Sequence, residues 1–186
     1  MLILTKAKTR LEELHIVPSG DLVPCTVEEI QLLECKLGHS LPEAYKEFLL
    51  WMGHSSGRLL AGSDYSYRDL ASLQIAAEEM LREDKFTQSL PDDAFVFLMH
   101  QGYQFSFIRT LEGDDPPVYD YVELMEATTF PLVFCHFSEF LFTVIEDYAK
   151  LREDIAQRIA DTATRSPDTA KRMAENARQL GDYGNQ

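Results

Sequence analysis

The chain reads as an α+β protein in which an antiparallel β-sheet occupies the middle of the sequence and helices flank it on both sides. Three observations carry this. Residues 91–126 are the one stretch that reads as consecutive strands joined by short turns; residues 26–52 place apolar side chains at helical spacing behind cap signals; and from residue 138 onward the three-and-four spacing returns.

In chain order, residues 1–22 form an approach segment in which Leu4, Leu11 and Leu14 make a short amphipathic helix before Pro18-Ser19-Gly20. Thr26-Val27-Glu28-Glu29 has the form of a capping box, in which the threonine hydroxyl accepts from the third amide and the glutamate reaches back. Ile30, Leu33 and Leu37 follow at helical spacing, and Gly38 is placed to end that helix in the left-handed region. Pro42 suits the first turn of a second helix, whose Tyr45, Phe48, Leu49 and Met52 share one face. A third helix is expected over residues 66–85 from Leu70, Leu73, Ala76, Ala77, Met80 and Leu81, with Glu78, Glu79, Glu83 and Asp84 turned to water.

The sheet comes next. Residues 94–100 are apolar on both alternations, as in a central strand covered on both faces. After Gln101-Gly102, Tyr103, Phe105 and Phe107 alternate with Gln104 and Ser106, so a hairpin to a half-exposed antiparallel partner is predicted. Residues 112–117 break the sheet, residues 118–123 supply a third strand with Pro116 and Pro117 at its entrance, and residues 132–135 a short last one. Ser138 is expected to cap a helix carrying Phe140, Leu141, Val144, Ile145 and Tyr148. A thinner stripe, Leu151, Ile155 and Ile159, continues to Ser166-Pro167, which starts a separate helix bearing Met173, Ala177 and Leu180 and ending before Gly181. Docking on the body, pairing with another copy and fraying all stay open for this tail.

With 186 residues and 45% apolar content, one core is expected, organised as an approach segment (1–22), a domain (23–150) and a helical extension (151–186). No apolar run reaches membrane length and no signal peptide is recognisable, so a cytoplasmic location without membrane partners is expected. Cys25, Cys35 and Cys135 are an odd number without a CxxC pair, which fits reduced thiols.

Charge is unevenly placed. The formal net charge is -14, yet residues 91–147 hold eleven acids against Arg109 alone, while the stretch after residue 147 is close to neutral. Such a balance argues against nucleic acid, which requires a basic footprint. It suits a basic protein partner, whose approach an acidic field accelerates; solubility alone would also account for it.

No catalytic constellation is expected. Cys135-His136 and the Cys35/His39 pair lack the further ligands of a metal site, and neighbouring strand residues point to opposite faces. No phosphate loop or cofactor motif appears. The paired acids Asp92-Asp93 and Asp114-Asp115 lie in turn sequence, where solvated acids are ordinary.

The string CTVEEIQLLECKLGHSLPEAYKEFLLWMGHSSGRLL resembles the opening of the SUKH superfamily, the Smi and Knr type of domain, in which a capped acidic helix precedes LG..LP..Y..FL and a glycine-rich turn. The P-V-Y-x-Y strand and the closing Phe137-Ser138-Glu139-Phe140-Leu141 helix agree in order, so the likeness covers about residues 23–147. One departure lies at Trp51-Met52-Gly53-His54, where relatives carry an asparagine-glycine pair. The resemblance implies an antiparallel sheet flanked by helices and a role in binding proteins without catalysis. Bacterial members are similar to immunity proteins of toxin systems, and fungal ones to regulatory scaffolds of cell-wall synthesis.

The expected function is therefore that of a non-enzymatic binding module, an immunity protein neutralising a cognate, basic toxin domain. A regulatory adaptor of the same fold is the alternative, and a hydrolase using the clustered acids a remoter one. The candidate partner-binding residues form a surface: Glu112, Asp114, Asp115, Tyr119, Asp120, Tyr121 and Glu123, joined by Tyr65 and Tyr67. The competing reading makes Tyr119 and Tyr121 inner-face core residues.

Overall fold

A computed structural model describes residues 2–124 and 128–179. The helices are α1 (Thr5–Leu14), α2 (Val27–Leu37), α3 (Glu43–Met52), α4 (Leu70–Glu83), α5 (Phe137–Arg165) and α6 (Pro167–Gln179). The strands are β1 (Leu22–Val23), β2 (Ser55–Ser56), β3 (Ser63–Asp64), β4 (Ala94–His100), β5 (Gln104–Arg109), β6 (Val118–Val122) and β7 (Leu132–Phe134). The mixed α+β class expected from the sequence is what folds, and the main sheet is antiparallel in the order β3-β4-β5-β6-β7.

Local signals account for much of this. Thr26 Oγ1 accepts from the Glu29 amide while Glu29 reaches back to the Thr26 amide at 2.8 Å, closing the capping box, and Gly38 ends α2 at φ 78°. Gln101 and Gly102 take φ 48° and 75°, the two positive values a tight hairpin turn requires, and Tyr103 N donates to His100 O across it. Pro42 stands one residue earlier than expected, as the extended residue before α3 rather than within its first turn.

Side chains from both faces of the sheet enter one core. Tyr45, on α3, is fully buried among Phe48, Phe95, Phe97 and Phe137, with ring centroids 5.1–6.0 Å away. The register pairs Phe105 with Tyr121 and Phe107 with Tyr119, and both pairs stack, at 5.2 and 5.3 Å. Phe86 and Phe130 close over Tyr121 from the end of α4 and the chain before β7.

The approach segment joins this body. Leu4, Ala7 and Leu11 are buried, Glu47 of α3 accepts from the Ile3 and Leu4 amides at 2.7 and 3.1 Å, and Arg10 pairs with Glu146 of α5. α5 runs without a break through residue 150, and Arg152 donates to Ile16 O at 2.6 Å. α6 turns back at Ser166 to contact α5, with Ala170 buried. Leu180, Gly181 and Glu126 lie outside the described residues.

Gly53 ends α3 in a position that excludes any side chain. A Cβ there would meet Cys25 Sγ at 2.5 Å and the Leu49 carbonyl at 2.7 Å.

Candidate partner-binding site

The loop from Glu112 to Pro117 is fixed by helix ends rather than left free to bind. Two helix N-termini lie against it, and their amides have no partner within their own helices. Asp114 O accepts from the Ala44 amide of α3 at 2.8 Å, and Pro116 O from the Phe137 amide of α5 at 2.8 Å. The Asp115 carboxylate accepts from Ser138 N at 2.9 Å and Ser138 Oγ at 2.6 Å. Ser138 therefore does not cap α5; it stands inside the first turn, and Asp115 supplies the acceptor from 23 residues away.

The aromatic and acidic members of the expected surface separate. Strand alternation sends Tyr119 and Tyr121 to one face and Asp120 to the other. Tyr121 is buried, and its hydroxyl donates to Asp84 at 2.5 Å, so Asp84 turns inward rather than to water. Tyr119 donates to Glu112 at 3.0 Å, and Glu112 accepts from Arg109. Asp114 and Glu123 are exposed but stand at opposite ends of β6. The Tyr65 hydroxyl accepts from Ser56 N and Oγ at 2.6 and 2.7 Å, and the Tyr67 hydroxyl donates to Glu29 O at 3.0 Å, so both tie the loop after α3 in place. A single tyrosine-and-aspartate surface is thus not formed, because a five-residue strand cannot present neighbours on one side.

Asp93 also departs from expectation. It is buried beside Arg109, whose Nε and Nη2 donate to it at 2.9 and 2.7 Å. Burial opposes its ionisation, but the guanidinium prevails and holds the carboxyl below its ordinary range. The lone cation of residues 91–147 is thereby committed to Asp93 and Glu112.

What the sheet offers on its other face is a pocket of about 280 Å³ between β4–β6 and α5. Phe140, Val144, Leu98 and Phe134 wall it, and Asp120 lies at its polar side with Ser106 and Gln104. Phe140, Thr143, Val144 and Asp147 reach it because they recur at i, i+3, i+4 and i+7 on α5. Asp120 accepts from Ser106 Oγ at 2.6 Å and Gln104 Nε2 at 3.1 Å, both neutral donors. Among the described residues no lysine or arginine forms an ion pair with it. Burial raises its carboxyl above the ordinary range, and the two hydrogen bonds offset this only in part. Ser63 Oγ and His100 Nδ1, 2.8 Å apart, stand at the rim.

A larger recess of about 590 Å³ lies between α4 and residues 86–92. It is flanked by the outer side of one helix, where Gln74 and Glu78 bond each other at 3.1 Å. Of the two cavities, the Asp120 pocket is the one in which a half-buried carboxylate meets apolar walls. Sequence reading included Asp120 but missed its surroundings, since Leu98, Phe134, Phe140 and Val144 are scattered over three elements.

Metal-ligating side chains converge elsewhere, at Cys25, Glu29 and His54. His54 Nε2 lies 3.0 Å from both Glu29 oxygens, and burial pushes the Cys25 thiol up to about 12. No helix among the described residues is long and apolar enough to cross a membrane.

Residues 24–143, more than half of the chain, match the model of the SMI1 / KNR4 family (SUKH-1). No curated protein matches the chain.

Proposed function

The chain belongs to the SMI1 / KNR4 family (SUKH-1), whose members act through protein-protein contacts, and on that premise we propose that it is a non-enzymatic cytoplasmic immunity protein that grips and neutralises a basic toxin domain. Asp120 carries this reading. A half-buried carboxylate held by neutral donors at the side of an apolar-walled pocket is costly to leave ionised, and a lysine or arginine side chain from a partner is the group that would offset the cost. The apolar walls suit the methylene stem of such a side chain, and the carboxylate suits its head. Arg109 is already paired with Asp93, so the acidic excess of residues 91–147 remains to steer a cationic surface toward this face.

Co-expression tests it. A toxin domain encoded beside this gene should lose its toxicity in the presence of the wild-type chain and form a one-to-one complex, and Asp120→Arg should abolish both. Unchanged protection by Asp120→Arg would exclude the pocket.

The adaptor reading has one observation in its favour. Leu151 and Ile155 are exposed on the outer side of α5, leaving apolar surface on the helical extension. If that surface mediates assembly, the double variant Leu151→Glu/Ile155→Glu lowers the mass in solution; an unchanged mass rules the assembly role out.

A further inference from the structure

Three segments of chain meet where α2 begins. Cys25 precedes the helix, Glu29 lies in its first turn and His54 follows α3, yet Cys25 Sγ, a Glu29 carboxylate oxygen and a His54 ring nitrogen lie within 4.8 Å of one another. We propose that these three side chains form a zinc site, with Cys25 thiolate, Glu29 carboxylate and His54 Nε2 as ligands and a solvent molecule in the fourth position.

The donor set selects the metal. Calcium and magnesium take oxygen ligands, whereas a mixed sulfur, nitrogen and oxygen set belongs to zinc and its first-row neighbours. Zinc bonds of about 2.0–2.3 Å put tetrahedral ligand atoms roughly 3.3–3.8 Å apart. The 3.0 Å separations of His54 Nε2 from Glu29 and the 4.8 Å limit on the whole group bracket that spacing, so side-chain adjustment is enough to seat the ion.

The surrounding structure holds each ligand in position. Cys25 N donates to Leu49 O at 2.8 Å, and His54 N to Val23 O at 2.9 Å, which fixes both backbones. Glu29 is oriented by the Thr26 amide at 2.8 Å, and the Tyr67 ring packs against the His54 ring at 5.5 Å. Gly53 lets the sulfur approach, since any side chain there would occupy its place. The environment is asymmetric. Cys25 is buried, but the side chains of His54 and Glu29 are 34% and 30% exposed, which gives the ion an entrance and its fourth ligand a place.

Binding changes no oxidation state. The Cys25 S–H bond is replaced by a sulfur-metal bond and its proton leaves to solvent, with any proton on His54 Nε2. The ion then ties the entry to α2, its first turn and the turn after α3, and the Glu29–His54 hydrogen bond is exchanged for two bonds to metal. A glutamate-histidine pair serving the helix end alone would explain two of the three side chains but would need no thiol.

The test uses the full chain, reduced and metal-free, with Co²⁺ as the spectroscopic probe and Zn²⁺ as its competitor. The expected result is one cobalt per chain, a thiolate-to-cobalt charge-transfer band with the strong visible bands of four-coordination, displacement by zinc, and a melting temperature raised by about 5–10 °C in excess zinc. Cys25→Ser removes the charge-transfer band, while Cys35→Ser and Cys135→Ser keep it. His54→Gln, at a partly exposed position, weakens zinc binding at least tenfold while the metal-free chain keeps its circular-dichroism spectrum. Absence of saturable one-to-one binding, a band that survives Cys25→Ser, or unchanged affinity in His54→Gln overturns the proposal.

Discussion

Asp115 caps the helix that contains Ser138: its two carboxylate oxygens take the Ser138 amide and hydroxyl, at 2.9 and 2.6 Å. The contact fastens the loop before β6 to the first turn of α5, and so sets the angle at which α5 presents Phe140 and Val144 to the pocket. An acid at a helix N-terminus also meets the positive end of the helix dipole. Asp115→Ala is expected to cost about 1–2 kcal/mol in urea denaturation, and Asp115→Asn less than half of that. A neutral Asp115→Ala would mean that the cap carries no weight.

Asp93 and Arg109 form an ion pair in the sheet half, at 2.7 Å. Asp93 is buried but Arg109 is 39% exposed, so the loss in Arg109→Leu is set below that of a fully buried pair, at about 2 kcal/mol. The pH dependence follows from the lowered Asp93 pKa. Its stabilisation is complete above the unfolded value of about 3.9 and is lost as pH falls through the lower folded value. Thermal melts from pH 6 down to about pH 2 should show wild type losing stability faster than Arg109→Leu, the two curves converging in acid.

Gly53 is expected to tolerate no replacement. Gly53→Ala would drive a methyl group into the Leu49 backbone and the Cys25 sulfur, and a loss of about 1–3 kcal/mol in denaturant midpoint is expected. Gly57→Ala offers a comparison, because its Cβ meets the flexible Val17 side chain at 2.8 Å and the cost there comes also from φ 63°.

What could be read in the sequence was local. The capping box at Thr26 and Glu29, the left-handed Gly38 and the Gln101-Gly102 hairpin each involve residues at most three apart, so their chemistry is written in neighbouring letters. The family likeness rested on the same helix pair, and the family match includes it. The site was not legible in that way. Asp115 and Ser138 are 23 positions apart, Asp93 and Arg109 sixteen, and one acid of each pair that looks solvated, Asp93 and Asp115, is held by a partner the fold brings from elsewhere. Tyr119-Asp120-Tyr121 misled for a different reason: three adjacent residues with binding chemistry look like one surface, but a strand divides them between two faces.

On the proposed function, Asp120 is an acid kept for a partner at the expense of stability. Its raised carboxyl pKa means that the folded chain is penalised at neutral pH, with the penalty disappearing as pH falls through the folded value toward the unfolded one. Asp120→Asn keeps an acceptor for Ser106 and removes the charge, so it should melt higher than wild type at pH 7, by about 2–4 °C for each kcal/mol relieved, and equally with it in acid.

The most direct measurement titrates wild type and Asp120→Asn calorimetrically against the toxin domain encoded beside this gene, alongside their melting curves. The predicted result is at least a tenfold loss of affinity in a variant that is as stable as wild type or more so; equal affinity for the two proteins would contradict the account.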